Sequence, residues 1–546
     1  MRYWIIILAS IVAALVRCAD AQAAEPATMC AGLLAPATAL KFAEIADAPT
    51  TIVSAKVIPA GGNGTKVEAD LPEICRVEGQ ISPNIGFLLR MPTKTWNGKF
   101  LMGGCGGPCG NFTYGRDDVV LARNYAVVST DMGHKGPGWM FIYHNLEAMV
   151  DFGYRSTHVT AVAAKAIIET YYGKKASRNY FWGCSTGGRQ AMVEAQRFPK
   201  DFEGIVAGAP VWNQTGNQPL FSLWATRINI GSDGRPILDA AKLELVHKAV
   251  IEACDAADGL KDGILQDPRR CDWDPKRIQC QSGESANCLT SAEANVVRKI
   301  YEGASTSDGQ RLYWGMMRGS EDQWKSWLGV GDKPAAALGD ASGKNNVVGY
   351  RSFFYAPGPS YSLFDFNYDV DPARLALTEI MFNAQNPDLR KMRETGAKLI
   401  LYAGWNDNNI PPEAAVDYYQ TATRALGGPT ATLPFFRLFL LPAVNHCQYG
   451  LGGGEADWLG ALEAWVERQE APDAIVVYHM RQEPYPSFGK SNDGDEPRTL
   501  NPRFPLNAAS YDRSRPVFAY PGVARYAGKG DANLATSWTK TLPRQP

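Results

Sequence analysis

The chain has 546 residues, of which 45% are hydrophobic and 20% charged, with a formal net charge of −1. That balance fits a soluble globular protein with a sizeable core, and the length calls for more than one domain or one large domain with an insertion. The near-zero charge comes with no basic run and no acidic tail, which argues against nucleic acid or an anionic membrane as partner.

Aromatic residues make up 11% of the chain and include 14 Trp. Core packing explains any one of them, and the surplus also suits a pocket for flat aromatic ligands. The first 23 residues read as an export signal: Arg2, an apolar run from Trp4 to Val16, then the small-x-small site Ala21-Gln22-Ala23. The run is too short to span a bilayer comfortably, and no later stretch reads as transmembrane. Cys18 raises the question of lipidation, but Arg17 before it is a poor fit to a lipoprotein signal, so cleavage is expected after Ala23. The destination is the periplasm or the medium. Ten cysteines then remain, an even number that in an exported chain favours disulfides. Zinc is the competing reading, a weak one because no C-x-x-C pair occurs.

The first clear strand is Lys99 to Met102, running into the glycine-rich "GGCGGPCGN". Tyr125 to Ser129 is a second strand, and Thr157 to Tyr172 has helical spacing of Val, Ala and Ile. A short strand follows at Tyr180 to Trp182, then a turn centred on Ser185, the helix "GGRQAMVEAQRFP" and the buried strand "GIVAGAP". After a long gap the pattern resumes with the strands in "AKLILYAGWND" and "FFRLFLLPAVNHC". Strands alternating with helices predict an α/β fold with a mostly parallel sheet. Its first part is expected at 24–210 and its second at 391–546. The block 211–390 holds Trp324, Trp327, "LGDASGKNN" and four of the ten cysteines. It reads as an inserted lid, and composition alone suits a separate non-catalytic domain equally well.

Gly183-Cys184-Ser185-Thr186-Gly187 fits G-x-S-x-G, a serine nucleophile on a sharp strand-to-helix turn. A serine hydroxyl needs a histidine base and a carboxylate to orient it, here expected in the order Ser, Asp, His. Of the histidines after Ser185, His247 sits mid-helix and His479 in a strand interior, whereas His446 falls in a loop at a strand's end. Asp407 also ends a strand and lies between Ser185 and His446. Asp417 and Asp457 fall in helical stretches and read as solvated. The oxyanion donors are expected from the backbone N–H of Thr186 and from Gly106 in the loop Gly103 to Gly110.

Cys184 precedes the serine and Cys447 follows the histidine. If serine and histidine meet, a disulfide between their neighbours would fasten the two loops together. Two buried free thiols are the alternative. A Cys184 nucleophile is disfavoured, because such a turn presents its central residue.

This Cys-Ser…Asp…His-Cys arrangement resembles the tannase family of α/β-hydrolases, which includes tannases, feruloyl esterases and mono(2-hydroxyethyl) terephthalate hydrolase. The resemblance runs through "WNGKF", "GCSTGGRQ", "CDAADGLKDGIL", "AGWND" and "RSRPVFAYPGVARYAGKGD". It implies a serine esterase with a large lid and a bridge between the catalytic loops. It also bears on the acidic turn "CDAADGLKDGIL". From spacing alone, Asp255, Asp258 and Asp262 suit Ca²⁺ or a solvated turn equally. The resemblance implies a structural Ca²⁺ in the lid, with Leu260 and Ile264 adding backbone carbonyls, and no organic cofactor. Relatives often carry a disulfide near the C-terminus; here no cysteine follows Cys447 and Phe518 stands about where one is expected. The expected pairs are Cys30–Cys75, Cys105–Cys109, Cys184–Cys447, Cys254–Cys271 and Cys280–Cys288.

The leading expectation is an exported esterase acting on esters of ferulic- or gallic-type acids. A terephthalate monoester hydrolase is the alternative, with Arg318 and Arg351 as candidate cations for the free carboxylate. A non-catalytic aromatic- or glycan-binding protein is the alternative of another class. The expected partner is a small aromatic ester, from plant cell wall or tannin, with no nucleic acid and no membrane.

Overall fold

The computed structural model describes residues 25–61, 71–112, 115–136, 138–283, 286–327, 353, 366–481, 504 and 506–542. The export signal, Arg351 and "LGDASGKNN" lie outside them. Among the described residues, no helix is long and apolar enough to cross a membrane.

Nine strands form one sheet in the order β1-β2-β3-β5-β4-β6-β7-β8-β9. The parallel part comprises β4 (Lys99–Gly103), β5 (Ala126–Thr130), β6 (Arg178–Cys184), β7 (Gly204–Gly208), β8 (Lys398–Gly404) and β9 (Phe436–Leu441). Every residue of β5 and β7 is buried. A strand covered on both faces favours a continuous apolar run rather than an alternating one: "GIVAG" supplies it, and "AVVST" does so up to Ser129, with the Thr130 hydroxyl donating to Gly86 O at 2.9 Å. β6 extends beyond the expected Tyr180–Trp182. Arg178 and Asn179 continue the ladder opposite Lys99 and Phe100 through main-chain bonds that need no apolar side chain. On the far side, β1 (Thr50–Ile58), β2 (Ile74–Ile81) and β3 (Ile85–Pro92) add an antiparallel edge.

Helices cover both faces. Helix α1 (Ser156–Tyr172) buries Val159, Ala163, Ile167 and Tyr171, one per turn, and stops at Gly173, whose φ of 68° is left-handed. Helix α2 (Thr186–Arg197) follows β6 directly. Helix α3 (Ala240–Cys254) lies in the stretch between β7 and β8, which contributes no strand to the main sheet among the described residues. The block expected at 211–390 falls within that stretch, residues 209–397.

Five disulfides pair all ten cysteines after residue 24, in the combinations expected from the family resemblance. Phe518 closes β10 (Ala474–Met480) against β11 (Tyr511–Phe518), opposite Ala474, so strand pairing holds the chain where a further bridge was looked for.

Candidate active site

Parallel strands deliver their C-terminal ends to one rim of the sheet, and α/β folds bind ligands there. The glycine-rich loop leaves β4, Ser185 leaves β6, Asp407 leaves β8 and His446 leaves β9, all at that rim.

Ser185 sits at φ 63°, ψ −121°, a strained conformation for a residue with a Cβ, between the last residue of β6 and the first of α2. The turn closes because its neighbours are glycines. A Cβ on Gly188 would lie 2.3 Å from the Gly208 carbonyl oxygen, and one on Gly187 would lie 2.9 Å from that of Cys105. Helix α2 therefore comes down directly on β7 and on the glycine-rich loop. Gly208 O accepts from Ser185 N at 3.0 Å, and Ser185 O accepts from Arg189 N at 3.0 Å and Val211 N at 3.3 Å.

The loop after β4 is fastened at several points. Cys105 and Cys109 are bridged. Gln190 Oε1 accepts from Cys105 N at 3.2 Å, and the Thr186 hydroxyl donates to Gly107 O at 2.7 Å. Gly106 lies exposed at the loop's crest, its carbonyl accepting from Cys109 N at 3.0 Å. The sequence reading missed Gln190 and the Thr186 side chain. They lie four residues apart on one helix face, and that spacing was the available signal.

Asp407 is 1% exposed and His446 7%. Asp407 Oδ2 lies 2.8 Å from His446 Nδ1, while Oδ1 accepts from Asn409 N at 2.9 Å and Ile410 N at 2.8 Å. A carboxylate so held cannot rotate, so it fixes the imidazole ring as well. The two loops are also stitched to each other, by Trp405 N to Leu441 O at 2.9 Å and Asn406 N to Val444 O at 3.0 Å. From the inserted stretch, Gln323 touches both: its carbonyl accepts from Asn408 Nδ2 at 3.2 Å, and its Oε1 from Asn445 Nδ2 at 3.4 Å.

Cys184 and Cys447 are bridged with Cα atoms 5.9 Å apart. With consecutive Cα atoms 3.8 Å apart, the backbones of Ser185 and His446 are held within about 13.5 Å of one another.

The other candidates have structural partners. His247 lies 3.1 Å from Glu321 Oε2, and His479 2.6 Å from Asp512 Oδ1. Asp417 lies on a helix, Glu413–Ala425. Asp457 does not: it caps the helix Trp458–Arg468, accepting from Gly460 N at 2.9 Å, the role a short carboxylate plays ahead of a first turn. Arg318 donates to Trp273 O at 2.7 Å and lies 4.5 Å from the Tyr301 ring centroid.

In the acidic turn, Asp258 Oδ1 accepts from Leu260 N, Asp255 Oδ2 from Gly263 N and Asp262 Oδ1 from Ile264 N, at 2.9, 3.0 and 3.2 Å. Asp262 also pairs with Arg515. Asp255 Oδ1 and Asp258 Oδ2 are buried with no hydrogen-bond partner among the described residues. Burial, then the charges of Asp262 and Asp255, push the Asp258 carboxyl up to about 6 against the pull of the Leu260 N–H and Arg515. Two orphaned carboxylate oxygens in one turn fit a hard cation.

Residues 66–541 match the family described as tannase and feruloyl esterase. The chain belongs to this family. It is a carboxylic ester hydrolase. It is 31% identical to mono(2-hydroxyethyl) terephthalate hydrolase from Piscinibacter sakaiensis, over 90% of this chain and 89% of that one. It is also 31% identical to a protein described as "Probable feruloyl esterase B-2" from Aspergillus terreus (strain NIH 2624 / FGSC A1156), over 76% and 80%. Among solved structures it resembles an esterase from Aspergillus oryzae, with TM-score 0.77 at 25% identity over 95% of this chain and all of the other. Tannin acyl hydrolase from Aspergillus niger shares the fold, with TM-score 0.65 at 19% identity over 91% and 90%. The architecture is thus that of the α/β-hydrolases.

The bridge between the two loops yields a prediction. Replacing Cys184 and Cys447 together by Ala leaves every polar group of the site in place but frees the His446 loop. Ester turnover should fall on the order of 10²-fold, the cost of about 1 Å of misplacement. The loop it closes spans 263 residues, so unfolding stability should fall by roughly 2–5 kcal/mol. Kinetics on a chromogenic ester and denaturant unfolding read both. A free Cys184 thiol in fully active protein, found by non-reduced peptide mapping, would remove the bridge from the account.

Proposed function

We propose that the protein is an exported serine esterase that hydrolyses esters of hydroxycinnamic- or gallic-type acids through an acyl-enzyme. The observation that carries this reading is the buried Asp407–His446 pair, 2.8 Å apart, tied by a disulfide to the strained turn at Ser185. With Nδ1 committed to Asp407, His446 is left with Nε2 to take the Ser185 proton as Oγ attacks the acyl carbon. The backbone N–H groups of Thr186 and Gly106 receive the oxyanion. His446 then passes its proton to the leaving alcohol and draws one from the water that releases the acid.

Export is supported by the N-terminal pattern and by the pairing of all ten later cysteines. Residues 211–390 are read as the lid over the site. The aromatic acid is supported by the feruloyl esterase relatives. The terephthalate hydrolase relative favours the second reading, a terephthalate monoester hydrolase. Its free carboxylate would need a cation. Arg318 is already committed to Trp273 and Tyr301, and Arg351 lies outside the described residues.

Ser185→Ala should abolish hydrolysis of methyl ferulate with the fold intact by circular dichroism. His446→Ala should match it, because members of such a unit do not add. Near-wild-type turnover in Ser185→Ala would end the acyl-enzyme reading. A panel of methyl ferulate, methyl gallate and a terephthalate monoester ranks the substrates. Preference for the monoester by kcat/KM would replace the first reading with the second.

A structural Ca²⁺ in the turn of Asp255, Asp258 and Asp262, with the carbonyls of Leu260 and Ile264, is the companion proposal. It is supported by the two orphaned oxygens. The ion would hold the turn and take no part in the chemistry. Chelation should lower the unfolding temperature, and Asp258→Asn should purify without the calcium that elemental analysis finds in wild type. Wild type that purifies without calcium in the absence of chelator would sink it.

A further inference from the structure

Behind the helix that carries Ser185 lies a second group of metal-ligating side chains. Helix α1 contributes His158, α2 contributes Glu194, and the turn leading to β7 contributes Asp201. One ligand atom from each lies within 4.8 Å of the others, the one such group of three among the described residues. Glu194 is 0% exposed, and among the described residues no N–H or hydroxyl donor reaches its carboxylate, which faces that of Asp201. Asp201 Oδ2 lies 2.6 Å from His158 Nδ1. Lys165 donates to the Asp201 carbonyl and lies 3.7 Å from Oδ1. Phe198 holds the His158 ring flat, with centroids 3.9 Å apart and planes inclined at 6°. The His158 and Asp201 side chains keep 23% and 13% exposure, so the group opens to solvent on one side.

A buried carboxylate with no donor is unfavourable unless something neutralises it. Lys165 and, when protonated, His158 are the positive charges beside the two carboxylates, and both lie on the Asp201 side. Either a proton shared between Glu194 and Asp201 makes up the difference, or a cation does. The donor set decides which cation. Ca²⁺ and Mg²⁺ take all-oxygen sites, whereas one imidazole with two carboxylates suits a borderline divalent transition ion.

We propose that His158, Glu194 and Asp201 form a transition-metal site, for which Zn²⁺ is the probe, tying α1 to α2 and to the turn before β7. Glu194 stands nine residues after Ser185, about 13.5 Å along the helix at 1.5 Å per residue. The ion therefore reaches no reacting atom, and its part is to brace the helix whose first turn presents the nucleophile.

The test needs no ester substrate, so it stands apart from the assignment of Ser185. Full-length protein is stripped with chelator, given Zn²⁺, desalted and analysed for bound zinc, with thermal unfolding followed in parallel. Wild type should retain one zinc per chain and unfold at higher temperature with Zn²⁺ present. Glu194→Gln and His158→Gln should retain none and show no rise, while Asp258→Asn, changed only in the acidic turn, should still hold zinc. Should Glu194→Gln fail to fold, His158→Gln at its part-exposed position carries the same comparison. Equal zinc in wild type and in folded Glu194→Gln or His158→Gln would overturn the site. So would wild type that retains none, leaving Glu194 and Asp201 as a proton-sharing pair.

Discussion

The Cys184–Cys447 bridge is the constraint on which the site's geometry depends. It joins the residue before the serine to the residue after the histidine, 263 positions along the chain. Everything between them, including the whole stretch from β7 to β8, must be accommodated in a closed loop. Sheet pairing brings β6 and β9 only to opposite sides of β7 and β8, two strand spacings further apart than neighbours. The covalent link spans that gap above the strand ends, where no backbone ladder exists to do it. The loop around it is sharply bent to permit this: Ala443, Cys447 and Tyr449 all have positive φ, a cost tolerated only where the surroundings over-determine the conformation.

The inserted stretch is part of the same device. Gln323 holds Asn408 next to Asp407 and Asn445 next to His446, and Gly319 O accepts from Asn406 Nδ2 at 2.5 Å. A segment that only covered the site would have no reason to grip the backbone neighbours of both residues. Through these amides, any movement of residues 319–323 is felt by the Asp407–His446 pair. Binding energy from a remote part of the substrate can likewise be used at the reacting centre.

The legible parts of the sequence were those where one physical demand dominates. Strands buried on both faces are dominated by apolar runs, so β4, β5, β7, β8 and β9 were visible. The turn at Ser185 was visible because only glycine fits beside it. Asp407 and His446 were found by their place at strand ends, and the structure brings them into hydrogen-bond contact. The antiparallel strands β1 to β3 were not seen: β1 lies at an exposed edge, where Thr50-Thr51 and Ile52-Val53 break any regular alternation. Gln190, Gln323, Asn406 and Asn445 were missed for another reason. An amide that positions a backbone is chemically ordinary, and its role exists only once the fold has brought its partner near. The Glu194 group was equally silent, because its three residues share no motif and come from two helices and a turn.

The Cys184–Cys447 bridge also explains why an oxidisable residue stands beside Ser185. In a reducing compartment Cys184 and Cys447 would be two thiols, and the His446 loop would be held only by hydrogen bonds and by the grip of Gln323. In an oxidising one they form a cross-link that sets the distance between the Ser185 and His446 loops. The same compartment closes Cys105–Cys109 across the loop that faces α2, and Cys254–Cys271 around the acidic turn. Two of the five bridges, Cys184–Cys447 and Cys105–Cys109, therefore act on loops at the strand ends, while Cys254 and Cys271 pack into the core beside the acidic turn. The disulfides stabilise the loops, where apolar burial has the least to offer, and they tie the geometry of the site to the redox state of its surroundings.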